Sequence, residues 1–394
     1  MGSLDIVKSE IESELLNHIL PFWTALKDET YGGYFGKLDY DLSLHKDAPK
    51  GGIATARLLW SFSAAYRKTG ISLYAEQAEH AFRFLQNRLL DREFGGIYWA
   101  VDYKGNPLDT RKHIYNQSFA VYSLSEYYLA SRNAEALELA KELYYLIEDR
   151  GYNAEAGGYK EEFDREWNER ENEMLSDNGV MAAMTMNTHI HVLEAYTTLY
   201  RAWPDERVRA SVAGLMNILY EKIYDPGKQR LNVFFDHEWN SLVDLTSYGH
   251  DIEASWLMDE AMKAIGSDNS DHRRMIIDLA YAVAREAVQS DGSLANEKEG
   301  AHTDTSRIWW VQAEAMVGFH NAYTRTQDAM FIELATNLWT YTKNNIIDSR
   351  RGGEWLWAVE EDGTHDTREL AGPWKCPYHN SRFCIELIER MNTP

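Results

Sequence analysis

The sequence predicts an all-α protein in which twelve helices close into a single ring, an (α/α)6 barrel, over residues 1–394. Glycine-led segments recur at a regular interval, and two helix-like segments fall in each interval. Helical pairs repeated at this period cannot bury their apolar faces alone, so they stack as an open solenoid or as a closed ring. We favour the ring because polar functional side chains recur at the starts of alternate helices, as if all faced one central pocket.

Glycine pairs that open short strand-like pieces mark the repeat. Gly33 and Gly96 are 63 residues apart, and Gly96 and Gly158 are 62 apart. Gly292 and Gly353 are 61 apart, whereas 134 residues, twice 67, separate Gly158 from Gly292. The segments "QRLNVFFDHEWN" and "DGSLANEKEG" are degenerate members of the series. The sequence therefore predicts six units, with short β-hairpins at one rim.

Each unit carries two helices by the period of its apolar residues. The predicted helices are 6–26, 54–68, 74–90, 113–130, 134–147, 178–201, 206–223, 250–265, 272–288, 307–324, 329–344 and 379–391.

Composition restricts the class of protein. Hydrophobic residues make up 44% and charged residues 26%, which is a globular balance. The absence of a long apolar run or secretory signal predicts a cytoplasmic protein without membrane contact. A formal charge of -22 would repel nucleic acid phosphates, so we expect no nucleic acid partner, and we expect a monomer. The 13 Trp and 24 Tyr permit stacking on sugar rings, which favours a neutral carbohydrate partner.

The segment "SYGHDIEASW" places His250 three residues before Glu253 at a helix start. Positions i and i+3 share a helix face, so the carboxylate could touch the imidazole and tune its protonation. A histidine near a helix start also serves as a cap or as a satisfied core group, and this alternative stays open.

In "TMNTHIHVLEAY", His189 and His191 point about 200° apart on a regular helix, so they cannot both ligate one metal ion. This spacing argues against a zinc site. Asn187, His191 and Glu194 share one face, whereas His189 lies on the more apolar side. We therefore predict His191 as a pocket residue and His189 as structural.

Three further stretches place polar or aromatic residues at helix starts. In "WKCPYHNSR", Pro377 interrupts any preceding helix and puts His379 at the head of the last one, although an N-terminal turn packed by Trp374 is equally consistent. Arg57 in "GGIATARLLW" is either paired with a buried carboxylate or directed into a cavity. Tyr115 begins another helix.

The segment "RIWWVQAEAM" places Trp310 and Glu314 on one helix face, and one of the tandem Trp309 and Trp310 must point the other way. Nucleophile elbows and phosphate-binding glycine loops do not occur in the sequence. The two cysteines, Cys376 and Cys384, lack zinc-ligand spacing and are expected to be reduced thiols.

With Arg57 and the segments "NTHIHVLEAY", "SYGHDIEASW", "RIWWVQAEA" and "WKCPYHN" in this order, the chain resembles the N-acylglucosamine 2-epimerase superfamily over nearly its whole length. The joint order and spacing are specific, since any one segment alone would be weak. The family fold is an (α/α)6 barrel, in agreement with the six units counted above. Its members interconvert sugars that differ at C2 without a nucleotide or metal, so the resemblance implies no cofactor.

The resemblance also implies roles for individual residues. The two acid/base histidines fall on His250 and His379, and a third pocket histidine falls on His191. Arg57 is expected to hold the reacting oxygens, and Glu253 to orient His250 and set its pKa. The residues expected to contact the sugar are Tyr115, Asn187, Trp310, Trp374, Trp309, Asp177 and Glu314.

The implied reaction is epimerisation at C2 of the reducing-end sugar of a β-1,4-linked disaccharide. Ring opening, proton abstraction to a cis-enediolate and reprotonation on the opposite face would accomplish it, with slow aldose-ketose isomerisation as a side reaction. A monosaccharide or N-acylglucosamine 2-epimerase or isomerase of the same fold remains an alternative. A glycoside hydrolase is a second alternative, because the same barrel hosts two-carboxylate chemistry. A non-catalytic sugar-binding helical-repeat scaffold is a third.

Overall fold

The computed structural model describes residues 3–172 and 179–392, and helices dominate this part of the chain. Its α-helices are α1 (Ser3–Glu14), α2 (Leu20–Ala25), α3 (Gly52–Thr69), α4 (Ser72–Phe84), α5 (Ile114–Ser131), α6 (Ala134–Leu146), α7 (Met186–Ala202), α8 (Glu206–Ile218), α9 (Tyr248–Ile265), α10 (Ser270–Glu286), α11 (Trp309–Thr326), α12 (Ala329–Asn345) and α13 (Tyr378–Asn392).

A π-helical turn at Leu15–Ile19 joins α1 to α2, so the thirteen α-helices of the described residues form twelve continuous rods. Similar turns extend α4, α6 and α8 at Leu85–Leu89, Ile147–Gly151 and Leu219–Ile223. Each of the twelve predicted helices corresponds to one rod, with ends that differ by a few residues in most cases.

The largest difference concerns the predicted helix 178–201, which begins only at Met186. Asn178 itself lies outside the described residues. Thr185 pairs as a strand residue with Phe234, and its side chain accepts a hydrogen bond from the backbone N–H of Thr188. This N-cap fixes the start of α7, because it satisfies a backbone donor that has no partner within the helix.

Six helices form an inner ring. Helices α3, α5, α7, α9, α11 and α13 pack against one another in succession, and α13 packs against α3. The contact of the last inner helix with the first contradicts the open solenoid. Helices α4, α6, α8, α10 and α12 each pack outside the inner helix that precedes them, and α1 packs against α13.

Inner helices lie between the outer rods and the centre, and so are buried on more than one face. In α5, every residue from Ile114 to Tyr127 is buried. Polar side chains on such a helix must find partners within the protein, because an unpaired buried polar group is costly. No helix among the described residues combines the length and apolarity of a membrane span.

Short antiparallel strands lead from the outer rods back to the inner helices, in eight small sheets within the described residues. The strands are β1 (Lys37–Leu38), β2 (Leu44–His45), β3 (Lys50–Gly51), β4 (Ala100–Val101), β5 (Pro107–Asp109), β6 (Lys112–His113), β7 (Tyr152–Asn153), β8 (Gly158–Tyr159), β9 (Glu162–Phe163), β10 (Glu169–Arg170), β11 (Met184–Thr185), β12 (Tyr224–Asp225), β13 (Arg230–Leu231), β14 (Phe234–Phe235), β15 (Leu245–Ser247), β16 (Glu297–Glu299), β17 (His302–Asp304), β18 (Arg307–Ile308) and β19 (Ala358–Val359).

Strands β3, β6, β11, β15 and β18 each run directly into an inner helix. The strands therefore collect at the N-terminal ends of the inner helices, and the predicted rim of hairpins is confirmed. Backbone conformation explains why glycine pairs mark these strands. Gly33 has φ +67°, and a Cβ there would approach the Phe84 ring to 2.8 Å. Only glycine meets both conditions without strain.

Candidate active site

Each inner helix contributes a predicted site residue from its first two turns. Arg57 belongs to α3, Tyr115 to α5, His191 to α7, His250 to α9, Trp310 to α11 and His379 to α13. All six inner helices run in the same direction between the rims, so these first turns meet at the rim that carries the strands.

The indole of Trp310 brings the two predicted acid/base histidines together. Its ring centroid lies 4.8 Å from that of His250 and 5.4 Å from that of His379. Trp310 can take this place because position 249 lacks a side chain: a Cβ on Gly249 would approach the indole to 2.6 Å. Both imidazoles therefore face one aromatic surface.

His379 is held by a carboxylate. Its Nδ1 donates to Oε1 of Glu314 at 2.7 Å, and Oε2 of Glu314 accepts from the indole N–H of Trp256 at 3.1 Å. Burial, aided by the charges of Arg57 and Arg382, lowers the pKa of His379 well below its usual range. The imidazole is therefore neutral near pH 7, with the proton on Nδ1 and a basic lone pair on Nε2.

His250 is held differently from the prediction. Its Nδ1 shares a hydrogen bond of 2.7 Å with Oγ of Ser247, the residue before α9. Burial and the nearby charge of His191 lower the pKa of His250 to about 3. The predicted pairing with Glu253 is wrong, because helix side chains lean toward the N-terminus and His250 reaches back to Ser247.

Glu253 lies one turn deeper and accepts from Arg382, while its Oε2 has no hydrogen-bond partner among the described residues. Burial and the like charge of Glu314 raise the pKa of Glu253 to about 7. Glu253 thus lies beside His379 and Glu314 and makes no hydrogen bond to His250.

His191 is the third histidine that the sequence predicts for the pocket. Its Nδ1 donates to Oε2 of Glu194 at 3.0 Å, and its ring lies 5.1 Å from that of Tyr115. Burial alone would raise the pKa of Glu194, but Arg382 and His191 outweigh it and hold the value at about 2. An ionised Glu194 therefore keeps a proton on Nδ1 of His191 and orients its ring.

His189 is structural, as predicted. Its Nε2 accepts from the backbone N–H of Tyr159 at 3.0 Å, and its Nδ1 donates to the carbonyl of Thr185 at 2.7 Å. Both ring nitrogens are occupied by backbone groups, and burial lowers the pKa of His189 to about 4. Nothing remains on this ring for a ligand.

Arg57 is the cation of the pocket. Its Nη2 donates to the hydroxyl of Tyr115 at 2.8 Å, and its guanidinium lies 4.2 Å from the ring centroid of Phe119 and 4.7 Å from that of Tyr378. The nearest acceptor of its Nη1 is the sulfur of Cys376 at 3.9 Å. Its Nε has no partner among the described residues, so this buried arginine keeps unused donor capacity.

The other predicted contact residues divide into two groups. Trp374 lies half-buried with its ring 6.1 Å from Tyr115, and the buried Oδ1 of Asn187 has no hydrogen-bond partner in the described chain. Trp309 is 1% exposed, packs under Lys375 and lies with its ring 5.5 Å from that of His379, so it supports this histidine and has almost no surface for a sugar.

Glu314 also departs from its predicted role as a sugar contact. It has no exposed surface, and His379, Trp256 and Arg382 occupy its oxygens. Glu314 therefore orients His379 by a hydrogen bond from the buried side of the pocket. Asp177 lies outside the described residues.

Arg382, which the sequence motifs did not single out, lies fully buried beneath the pocket. It forms ion pairs with Glu194, Glu253 and Glu314, three carboxylates from three inner helices. The signal was an arginine three residues after His379, which puts it on the same face of α13.

The three histidines share one arrangement. In each, Nδ1 is hydrogen-bonded to a side chain behind the ring, and Nε2 has no hydrogen bond within the described residues. Anchored rings with free Nε2 atoms are suited to exchange protons with a bound substrate. Their shared orientation is the main chemical feature of the site.

Three donor residues of the site lie close enough together for a cation: atoms of Glu253, Glu314 and His379 are all within 4.8 Å of one another. Arg382 already pairs with both carboxylates from the same space. A metal ion there would repel the buried guanidinium, so the donor set as arranged does not fit a metal.

Comparison with known proteins agrees with this geometry. The profile of the family "N-acylglucosamine 2-epimerase (GlcNAc 2-epimerase)" matches residues 33–382. The chain belongs to the N-acylglucosamine 2-epimerase family. Within the family, it is 46% identical over 385 residues to a cellobiose 2-epimerase of Ruminococcus albus, covering 97% of this chain and 98% of the relative.

A second family relative, the cellobiose 2-epimerase of Dictyoglomus turgidum, is 44% identical, with 98% of this chain and 100% of the relative covered. The solved cellobiose 2-epimerase of Bacillus thermoamylovorans B4167 superposes with a TM-score of 0.97 at 56% identity, covering 98% of this chain and 100% of that one. The helical architecture is therefore that of solved members of the family.

Proposed function

We propose that this member of the N-acylglucosamine 2-epimerase family epimerises C2 of the reducing-end sugar of a β-1,4-linked disaccharide. Cellobiose would give glucosyl-mannose, and lactose would give epilactose. One observation carries the proposal: two neutral imidazoles, His250 and His379, lie against the same Trp310 indole with Nδ1 anchored and Nε2 free. The full-length relatives that are cellobiose 2-epimerases support the choice of a disaccharide.

The reaction begins with a closed sugar ring. One histidine takes the proton of the C1 hydroxyl, the bond from C1 to the ring oxygen breaks, and the ring oxygen gains a proton. The aldehyde that results makes the hydrogen on C2 acidic. Neither His250 nor His379 carries a charge near pH 7, so both can serve as proton acceptors at this stage.

Removal of the C2 proton leaves a cis-enediolate, whose negative charge develops on O1 and O2. Arg57 is the proposed partner of these oxygens, because its Nε is an unused buried donor. His191 is the second proposed donor, in its imidazolium form, because its Nδ1 proton already goes to Glu194 and only a proton on Nε2 can reach the sugar oxygens. Fixed donors that await the developing charge lower the barrier, because they need no rearrangement during the reaction.

Inversion requires that the proton return to the other face of C2. His250 comes from α9 and His379 from α13, on either side of α11, and we propose that they approach C2 from opposite faces. Protonation at C1 instead of C2 would give a ketose, so slow isomerisation is the expected side reaction.

A hydrolytic reaction fits the site less well. Glycoside hydrolases of the common kind need two carboxyl groups that flank the glycosidic bond. Glu253 and Glu314 have no exposed surface, and both are paired with Arg382. Carboxylates in this state cannot reach a glycosidic oxygen.

We also infer that the closed inner and outer rings constitute an (α/α)6 barrel and that residues 1–394 form one domain. The succession of inner contacts from α3 through α13 and back to α3 supports this reading. Cutting the ring at any unit would separate site residues from one another.

The test is incubation with cellobiose in heavy water, with C2 followed by NMR. We expect deuterium at C2 and a glucosyl-mannose product at conserved disaccharide mass. His250→Ala and His379→Ala should each slow epimer formation by about 10²-fold or more. A single-base variant should still exchange the C2 hydrogen on its remaining face without inversion.

Two outcomes would overturn the proposal. Release of monosaccharides would indicate a hydrolase, and disaccharide binding without any C2 exchange by the wild type would indicate a non-catalytic sugar-binding protein.

A further inference from the structure

The inner ring has another cavity, the far cavity, at the rim opposite the strands. It encloses about 750 Å³, which lies within the range of ~300–1,000 Å³ typical of small-molecule sites. The far cavity is therefore large enough for a ligand of the size of a mono- or disaccharide. Each inner helix lines it from its second half, through Arg67 of α3, Glu126 of α5, Arg201 of α7, Glu260 of α9, His320 of α11 and Arg390 of α13.

Buried side chains separate the far cavity from the proposed reaction centre. Arg390 follows His379 by 11 residues on α13, which corresponds to about 16 Å along the helix. The guanidinium of Arg390 lies 5.9 Å from the ring centroid of Trp256, and that of Arg382 lies 4.8 Å from the same ring. Trp256 is 3% exposed, and Arg382 has no exposed surface. A ligand in the far cavity would thus occupy a site distinct from the one in which the sugar is proposed to react.

The charged side chains of the far cavity are balanced in sign. Glu260 accepts from Arg201 at 2.6 Å and from Lys263 at 3.0 Å. Arg390 donates to the same carboxylate at 3.1 Å. Burial alone would raise the pKa of Glu260, but these three cations outweigh it and hold the value at about 2. A charged ligand would meet as many like charges as opposite ones, so the lining favours a neutral ligand. With the residues given above, Lys263, Glu386 and Glu389 bring the lining to four cations and four carboxylates.

These ion pairs leave hydrogen-bonding capacity toward the cavity. Arg67 donates to Glu126 through Nε at 2.5 Å, and Arg201 donates to Glu260 through Nη2. The side chains of Arg67 and Arg201 are 38% and 41% exposed. A guanidinium has five N–H donors and a carboxylate has about four acceptor positions, so one ion pair does not saturate either group. Neighbouring donors and acceptors match hydroxyl groups, because each hydroxyl both donates and accepts.

His320 is an unpaired group in this lining. It is 9% exposed, and its buried Nδ1 has no hydrogen-bond partner among the described residues. Burial and the charge of Arg390 lower the pKa of His320 to about 4, so the imidazole is neutral near pH 7. A buried polar atom without a partner is unusual in a folded protein and calls for a bound water or ligand. A neutral imidazole suits a ligand that both donates and accepts hydrogen bonds.

We propose that the far cavity binds a neutral carbohydrate of one or two sugar units. This proposal goes beyond the proposed function and does not depend on it. Sugar hydroxyls match the paired charges and the neutral imidazole of the lining. Half-buried Leu129 and Tyr323 add apolar surface that the C–H face of a sugar ring can contact.

Equilibrium dialysis of the full-length protein against radiolabelled methyl β-cellobioside would count the sugars bound per chain. This glycoside cannot open its reducing-end ring, so it binds without reacting. We expect wild type to bind two equivalents, one in the active site and one in the far cavity. The double variant Arg67→Ala, Arg201→Ala loses two exposed donors. It should bind the far equivalent at least about tenfold more weakly, and so bind one equivalent less.

Two further variants control this result. Leu129→Trp places an indole in the far cavity without changing its charge, so it should also lose one equivalent. The double variant Arg83→Ala, Arg207→Ala removes two exposed, ion-paired arginines from the outer helices α4 and α8. It should bind as many equivalents as wild type.

The proposal is wrong if either Leu129→Trp or the Arg67→Ala, Arg201→Ala variant binds as many equivalents as wild type. It is also wrong if inorganic phosphate or spermidine, and not methyl β-glucoside, displaces the far equivalent, because the site would then select an anion or a cation. Failure of the proposed function has a separate signature. Wild type would then exchange no deuterium at C2 of cellobiose, whereas the far-cavity variants would still lose one equivalent.

Discussion

At the residue scale, the two proposed bases differ in the hydrogen-bond partner of Nδ1. Nδ1 of His379 faces the carboxylate of Glu314, whereas Nδ1 of His250 faces the hydroxyl of Ser247. A carboxylate accepts only, so it fixes the tautomer of His379 with Nε2 as the base. A hydroxyl both donates and accepts, so Ser247 accommodates His250 in either tautomer.

This difference predicts the effect of Glu314→Gln. The amide keeps the shape and an acceptor oxygen for His379, but it loses the charge that stabilises the imidazolium once the proton has moved. We expect kcat for epimerisation to fall by about 10²-fold with KM nearly unchanged, because the lost interaction is strongest in the transition state.

Steady-state kinetics on cellobiose would measure this effect. Glu386→Gln, a matched change near the other end of α13 where Glu386 pairs with Arg390, should leave kcat unchanged. Equal kcat in Glu314→Gln and wild type would show that the carboxylate only fills space.

At the element scale, the site depends on how closely α9 approaches α11. Gly249 in the first turn of α9 leaves room for Trp310 of α11, and Gly318 of α11 lies against Ile252 of α9, where a Cβ would come within 2.4 Å. Glycine costs helix stability, so its use at two contact positions of one helix pair indicates that close packing is required there.

We therefore predict that Gly249→Ala displaces the Trp310 indole from His250 and His379. Epimerisation should drop by about tenfold or more, since a misplacement of about 1 Å can cost that much or more in a reaction that depends on aligned groups. Kinetics, together with the indole fluorescence, would measure both effects.

Gly214→Ala in the outer helix α8 is the matched control. Nothing lies within 4 Å of a Cβ built there, so activity should be unchanged. The helix should gain about 0.5–1 kcal/mol from the better propensity of alanine. Full activity in Gly249→Ala would refute the packing argument.

At the scale of the whole molecule, several carboxyl groups are buried where ionisation is unfavourable. Burial raises the pKa of Glu161 to about 8, that of Asp251 to about 8 and that of Glu253 to about 7. A raised folded-state pKa contributes stability that is complete below the unfolded value, near 4.5 for Glu. This stability is lost as the pH rises through the folded value.

Glu161 offers the clearest test of this pH dependence. It accepts from the backbone N–H of Thr185 at 2.7 Å and from the hydroxyl of Thr188 at 2.5 Å, at the start of α7 and away from the proposed reaction centre. We predict that wild-type Tm falls between about pH 4.5 and pH 8, the range between the unfolded and folded pKa values of Glu161. Glu161→Gln, which mimics the neutral acid, should reduce this fall by roughly 2–4 °C.

Thermal denaturation at several pH values would measure how far Tm falls in each variant. Glu166→Gln, an exposed change on the neighbouring loop, should follow the wild-type curve. Parallel curves for Glu161→Gln and wild type would show that Glu161 is already ionised in the folded protein.

Much of the fold could be predicted because its signals are local. The apolar period of each segment sets a helix, and glycines such as Gly33 and Gly96 mark backbone turns that only they adopt without strain. Pairings in the site were harder to predict. The spacing of His250 and Glu253 correctly places both on one helix face, but it does not say which residue of another helix competes for the carboxylate.

The sequence by itself determined the twelve helical rods, the rim of short strands, and the residue types that begin the inner helices. These follow from interactions within a few residues along the chain. Only the tertiary structure decided that Glu314 holds His379, that Ser247 holds His250, and that Arg382 lies between three carboxylates. The partners of Arg382 lie on three other inner helices, so ring closure, and not local spacing, brings these charges together where burial makes pairing obligatory.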